Sequence, residues 1–167
     1  SENASLSPRR NPLSVGAVIP DFSLTDQKGN SVSAMELTSG KGAVVLFLPE
    51  DSNPAARPAY TWARKSRGFL ASRGLELLFV TPHSVEQNAG IAGREDLPMA
   101  FLSDPASWVA GAFGVAPKGR PSSIHAFVFG SNGRVQLSEQ GLPDPAMIVM
   151  AAESLPGQSS ESSFFLP

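Results

Sequence analysis

The sequence predicts an α/β sandwich, a mixed central sheet with helices on both faces, and three observations carry that reading. Residues 43–48 (AVVLFL) and 75–80 (LELLFV) are nearly continuous apolar runs rich in β-branched and aromatic side chains, the pattern of strands buried on both faces. Between them, residues 54–73 place Ala59, Trp62, Ala63, Phe69 and Leu70 close to helical spacing, so the order strand, helix, strand implies a parallel pair joined by a right-handed crossover. Further on, residues 124–129 and 134–137 flank Ser131-Asn132-Gly133, and an Asn-Gly step between two such runs is a strong hairpin signal.

In chain order, residues 1–14 (SENASLSPRRNPLS) are polar and proline-bearing and read as an N-terminal arm that contributes little to a core. From Val15 the texture changes. Phe22-Ser23-Leu24 alternates, residues 26–30 (DQKGN) are turn chemistry and Ser31-Val32-Ser33 alternates again, which together predict a hairpin. Pro49 ends the first buried strand, and Gly74 stands where the long helix should stop. Ser84 and Gln87 have the spacing of a capping box, so a second helix should start there. Ala100-Phe101-Leu102 reads as an edge or connecting strand. Asp104-Pro105 and Asp144-Pro145 each offer an N-cap followed by a first-turn proline, the first predicting a helix through about Phe113 and the second a helix over 146–155. The expected organisation is an arm (1–14), one folded domain (15–155) and a C-terminal tail (156–167) rich in serine that ends Phe164-Phe165-Leu166-Pro167.

Composition limits the possible functions. With 167 residues the chain is the size of one domain. Lysine and arginine number 13 against 15 acidic residues, a net charge of -2, so no global field draws the chain to nucleic acid or anionic lipid. There is no cysteine, which removes disulfides, thiolate metal sites and thiol nucleophiles together. No apolar stretch reaches the roughly 18 residues of a spanning helix, and no membrane insertion is expected. The chain reads as soluble, intracellular or in an organelle lumen.

Several residues in this order and spacing resemble the peroxiredoxins, the AhpC/TSA group, and within them the bacterioferritin-comigratory or Q-type subgroup. The anchors are residues 16–24 (GAVIPDFSL), Gly29-Asn30, Leu46-Phe47-Leu48-Pro49, Leu102-Ser103-Asp104-Pro105, Phe113-Gly114-Val115 and Asn132-Gly133-Arg134. The resemblance implies a thioredoxin-like sandwich and a thiol peroxidase site of the form Pro-x-x-x-Thr-x-x-Cys after the first buried strand. Here that stretch reads Pro49-Glu50-Asp51-Ser52-Asn53-Pro54-Ala55-Ala56. The proline is kept, Asn53 stands in place of the threonine, and Ala56 stands in place of the peroxidatic cysteine. The resolving cysteine of many Q-type members would fall at Thr61, and the family's active-site arginine at Ile124 or its neighbour His125.

Peroxide reduction needs a thiolate with a lowered pKa and donors for the charge that develops on the peroxide oxygens. An alanine methyl has no lone pair to attack with. The methionines, at positions 35, 99, 147 and 150, carry no thiolate, and their oxidation would be damage rather than turnover. The expectation is therefore a catalytically degenerate peroxiredoxin-like domain that acts as a binding or structural subunit, with a protein partner, a larger assembly or a second copy as its counterpart and no cofactor or metal. The alternative is a Q-type thiol peroxidase seen as a cysteine-free variant. Candidate partner contacts are Phe164, Phe165 and Leu166 in the tail and Arg57 and Arg64 on the long helix. The basic side of that helix, which also holds Lys65, Arg67 and Arg73, otherwise reads as a solvated face. His83 and His125 lie far apart without clustered carboxylates, Gly111 and Gly114 lack a phosphate-binding setting, and Ser122 and Ser123 have no nucleophile elbow.

Overall fold

In the computed structural model the described residues are Asn3 and 6–154. The predicted hairpin forms β1 (Ser23–Thr25) and β2 (Ser31–Ser33), and Ser33 then starts a one-turn helix, α1 (Ala34–Leu37). The sequence reading missed α1, although Ser33 and Glu36 make a reciprocal capping box. The first buried run is β3 (Gly42–Phe47), followed by a short 3-10 turn (Pro54–Ala56), α2 (Arg57–Ser72), β4 (Glu76–Thr81), α3 (Val85–Glu95) and β5 (Phe101–Ser103). The remainder is α4 (Trp108–Ala112), β6 (His125–Gly130), β7 (Val135–Gln140) and α5 (Pro145–Glu153).

These strands form one sheet in the order β2-β1-β5-β4-β3-β6-β7. The β3–β4 and β4–β5 pairs are parallel, while β6 runs antiparallel to β3 and to β7. Every residue of β3 is buried, as its continuous apolar run requires. Because strand side chains alternate between faces, β3 splits the core in two. Val44, Leu46 and Leu48 pack with Leu70 of α2, Ile91 of α3 and Ile148 of α5. Ala43, Val45 and Phe47 face the other side with Leu37 of α1, Val109 of α4 and a cluster of aromatic rings. Phe113 is the hub of that cluster, with ring centroids 4.8 Å from Phe47 and 5.3 Å from Phe127.

Helix ends follow local chemistry where that chemistry is sufficient. Ser84 and Gln87 form the predicted capping box, and the Asp144 carboxylate accepts from the Ala146 amide ahead of α5. Gly74 takes a φ of 78°, and α2 closes as Leu75 N–H donates back to the Leu70 carbonyl, a left-handed stop that glycine adopts at no steric cost. The Asp104-Pro105 pair behaves differently. Instead of beginning a helix, it leads into a turn through Ser107, which has a φ of 55°, and α4 starts only at Trp108. The Asp104 carboxylate reaches past that turn and accepts from the amides of Val109 (3.2 Å) and Ala110 (2.9 Å). It still neutralises orphan helix donors, but from one turn further away than an N-cap does.

The N-terminal segment also departs from expectation. Leu13 is 3% exposed and belongs to the second core cluster, so this stretch does contribute to the core. Its backbone is tied to α4 through Arg9 N–H to the Gly111 carbonyl and Leu13 N–H to the Phe113 carbonyl. The approach is so close at Gly114 that a Cβ there would lie 1.9 Å from the Asn11 carbonyl oxygen. Residues 155–167, with Phe164, Phe165 and Leu166, lie outside the described residues.

Candidate functional site

The segment that follows β3 is held by backbone and cap hydrogen bonds. Leu48 extends the β3 pairing by donating to the Val80 carbonyl, and Pro49, which cannot donate, ends it. Asn53 then caps the 3-10 turn, its side-chain oxygen accepting from the Ala55 amide at 2.9 Å, while the Ala56 amide donates to the Asn53 carbonyl. The Asn53 side-chain oxygen is thus engaged with backbone. Ala56 is fully buried where the turn runs into α2. Thr61 is exposed one turn later, and Arg57 is exposed at the start of α2.

Ile124 and His125 point to opposite sides of the sheet. Ile124 is 7% exposed and packs in the cluster that contains Ala59 of α2. His125 pairs in register with Phe47, stacks at 4.7 Å against Phe127 on the other face, and shares a 2.9 Å hydrogen bond between Nε2 and Ser138 Oγ. Of the two positions offered for the arginine, Ile124 is therefore the one on the α2 side, and its side chain is hydrocarbon. Burial pushes His125 down to about 4, so its ring is neutral at physiological pH.

On the other side of the loop the structure assembles a polar network that the sequence reading did not anticipate. The Asp51 carboxylate accepts from both terminal guanidinium nitrogens of Arg94, at 2.7 and 2.9 Å, and from the Tyr60 hydroxyl at 2.8 Å. The Asp51 amide donates to His83 Nε2 at 3.0 Å. Arg94 also donates through Nε to Glu95 at 2.8 Å, and Glu95 accepts from Arg64 at 3.2 Å. The Arg94 hydrogen bonds bring Asp51 down to about 2, with Tyr60 adding to the effect against a burial penalty. Burial, followed by the Asp51 hydrogen bond, raises the Tyr60 phenol well above its ordinary range. Burial lowers His83. The network thus fixes each proton: Asp51 is ionised, Tyr60 keeps its proton and His83 stays neutral.

This network forms one wall of a cleft of about 570 Å³ that Glu50, His83, Gln87 and Arg120 also line. Arg120 is ion-paired with Glu50, so both arginines of the cleft already have carboxylate partners. The described residues contain no group of His, Cys, Asp and Glu that could hold a metal ion, and none of their helices is long and apolar enough to cross a membrane. His83 and His125 are not brought together, being engaged with Asp51 and Ser138 respectively.

The sheet order and the helices on both faces are those of thioredoxin-like peroxiredoxins. The peroxidoxin BcpB of Mycobacterium tuberculosis superposes with a TM-score of 0.73 at 21% identity, over 84% of this chain and 96% of that one, a likeness of fold. At the level of sequence, the model of the AhpC/TSA family matches residues 15–148, and the chain belongs to that family. Curated relatives include Peroxiredoxin Q, chloroplastic, of Gentiana triflora, 31% identical over 75% of this chain and 58% of the relative. Peroxiredoxin Bcp of Escherichia coli strain K12 is 30% identical over 63% of this chain and 67% of the relative. The chain thus spans about two thirds or less of the length of these two relatives.

Proposed function

We propose that this chain is a catalytically degenerate member of its family, a pseudoenzyme that serves as a binding or structural subunit. The observation that carries the reading is Ala56: a fully buried methyl at the start of α2 in a chain without any cysteine. Thiol-based peroxide reduction requires a thiolate sulfur to attack one peroxide oxygen. The O–O bond breaks, a sulfenic acid forms, and hydroxide or alkoxide leaves with the electron pair. No side chain at this position can donate that pair. Ile124 supports the same conclusion, since its buried hydrocarbon offers no donor to a developing oxyanion.

What remains is a rigid sandwich whose α2 start is pinned by the Asp51 network, a suitable scaffold for a protein partner, a larger assembly or a second copy. Exposed Arg57 and half-exposed Arg64 on α2 are candidate contacts. The test is peroxide consumption by the purified chain with a dithiol as reductant, where the expected result is no turnover above buffer. A second reading, a Q-type peroxidase with its cysteine replaced, is favoured by the names of the relatives. The genomic codon for residue 56 separates the two: an alanine codon supports the pseudoenzyme, and a cysteine codon overturns it.

A further inference from the structure

A second cleft, of about 250 Å³, lies between the end of α2 and the end of α5. Its walls combine hydrocarbon from Leu75, Val149 and Ala152 with the cations Lys41 and Arg73, and Glu153 is its one carboxylate. The Arg73 guanidinium lies 5.2 Å from the centroid of the Phe69 ring, which is 40% exposed. The site is therefore a small cleft of mixed lining, with three apolar side chains, Ser131, two cations and one carboxylate, and an aromatic neighbour. We propose that it is the docking site for the chain's own C-terminal segment, with Phe164 and Phe165 as apolar anchors and Glu161 toward Lys41 and Arg73.

Position, reach and charge favour this occupant. The described chain ends at Ser154, directly after two residues that line the cleft, so the tail leaves from its lip. Phe164 lies ten positions beyond Ser154, enough to span about 33 Å if extended, far more than a return to the same cleft demands. Pro156-Gly157 supplies turn chemistry for the reversal. Glu161 is the only charged residue after Ser154, opposite in sign to Lys41 and Arg73. A phenylalanine entering beside Arg73 would continue the stack already begun on Phe69. The inference is independent of the pseudoenzyme reading, since it uses none of the residues of the peroxidase site.

Because the chain has no cysteine, Ser163→Cys gives a single place for a nitroxide label on otherwise unaltered protein. The expected result is loss of the amide signals of Leu75, Val149 and Ala152 in isotope-labelled protein, while those of exposed Glu86 on α3 survive. Adding Phe164→Ser and Phe165→Ser should restore the lost signals, and Arg73→Glu should restore them in part. Signals that persist at the cleft, or a loss insensitive to the phenylalanine substitutions, would overturn the proposal. Loss that recurs when nitroxide-labelled, isotope-free chains are mixed with isotope-labelled, nitroxide-free chains would assign the cleft to a second copy and overturn self-docking.

Discussion

The two sides of the β3–α2 connection differ in polarity. Toward the sheet stand the buried methyl of Ala56 and the buried side chain of Ile124, with the Asn53 side-chain oxygen accepting from the Ala55 amide. Toward α3, a few ångströms of backbone away, Asp51, Tyr60, His83 and Arg94 form a connected polar network around one carboxylate. Packing on the apolar side depends on volume and burial rather than on reactive atoms. The polar side holds the loop in place through hydrogen bonds and an ion pair.

The largest effect should come from forcing charge into the apolar side. Ile124→Arg would bury a guanidinium in a hydrocarbon cluster with no carboxylate described beside it, at a cost of about 3 kcal/mol, read as a lower denaturant midpoint. A stability equal to that of the wild type would mean that the cluster holds a polar partner for the new charge.

His125 sharpens the comparison across the sheet. Its folded value of about 4 lies below the ordinary histidine value, so between about pH 6.5 and pH 4 the unfolded chain binds the proton that the folded chain refuses. Stability contributed by the neutral ring is complete above that window and falls as pH falls through it. Asp104 works in the opposite sense, because burial raises it to about 6 and the folded state then binds the extra proton. His125→Gln, which keeps a partner for Ser138, should remove an acid-side loss on the order of 2 kcal/mol across the window. Denaturation midpoints of both proteins from pH 7 to pH 4 measure it, and parallel curves would contradict it.

A smaller effect should follow from opening the polar side. Arg94→Met removes the bidentate partner of Asp51, and since both side chains are partly exposed the loss at pH 7 should be about 0.5–1 kcal/mol. Asp51 is depressed to about 2, so the stabilisation is full above the ordinary carboxylate range and disappears as pH falls through about 2. The difference between variant and wild type should therefore shrink in acid. In a carboxylate titration by NMR, Asp51 of the variant should move up toward an ordinary value.

What could be read from the sequence was local. The run over 43–48 became β3, the spacing over 54–73 became the 3-10 turn and α2, Ser84 and Gln87 capped α3, and Asn132-Gly133 turned β6 into β7. Ala56 could be placed because it stands a fixed distance from Pro49. Features that depend on partners far along the chain were not visible. Asp51 and Arg94 are 43 residues apart, and neither sits in a pattern that names the other. Leu13 is one of two leucines in a mostly polar stretch, and the backbone that carries it is tied to Phe113 and passes close to Gly114. Asp104 looked like an N-cap, but the left-handed Ser107 moved the start of the helix beyond it.

The most direct test of the central claim is the reactivity of Ala56→Cys with hydrogen peroxide. The substitution supplies a thiol next to the start of α2, where the helix dipole can lower its pKa below about 8.5. It also supplies it at a position with no solvent exposure, beside a capping amide and without the arginine. Loss of one preorganised donor typically costs about a hundredfold or more. Competition kinetics on the single variant should therefore give a rate constant no higher than that of an ordinary exposed thiol, and thiol-specific reagents should label it slowly until the protein is unfolded. A rate several orders of magnitude above a free thiol would mean that the peroxide site is intact and that this chain is an enzyme lacking only its nucleophile.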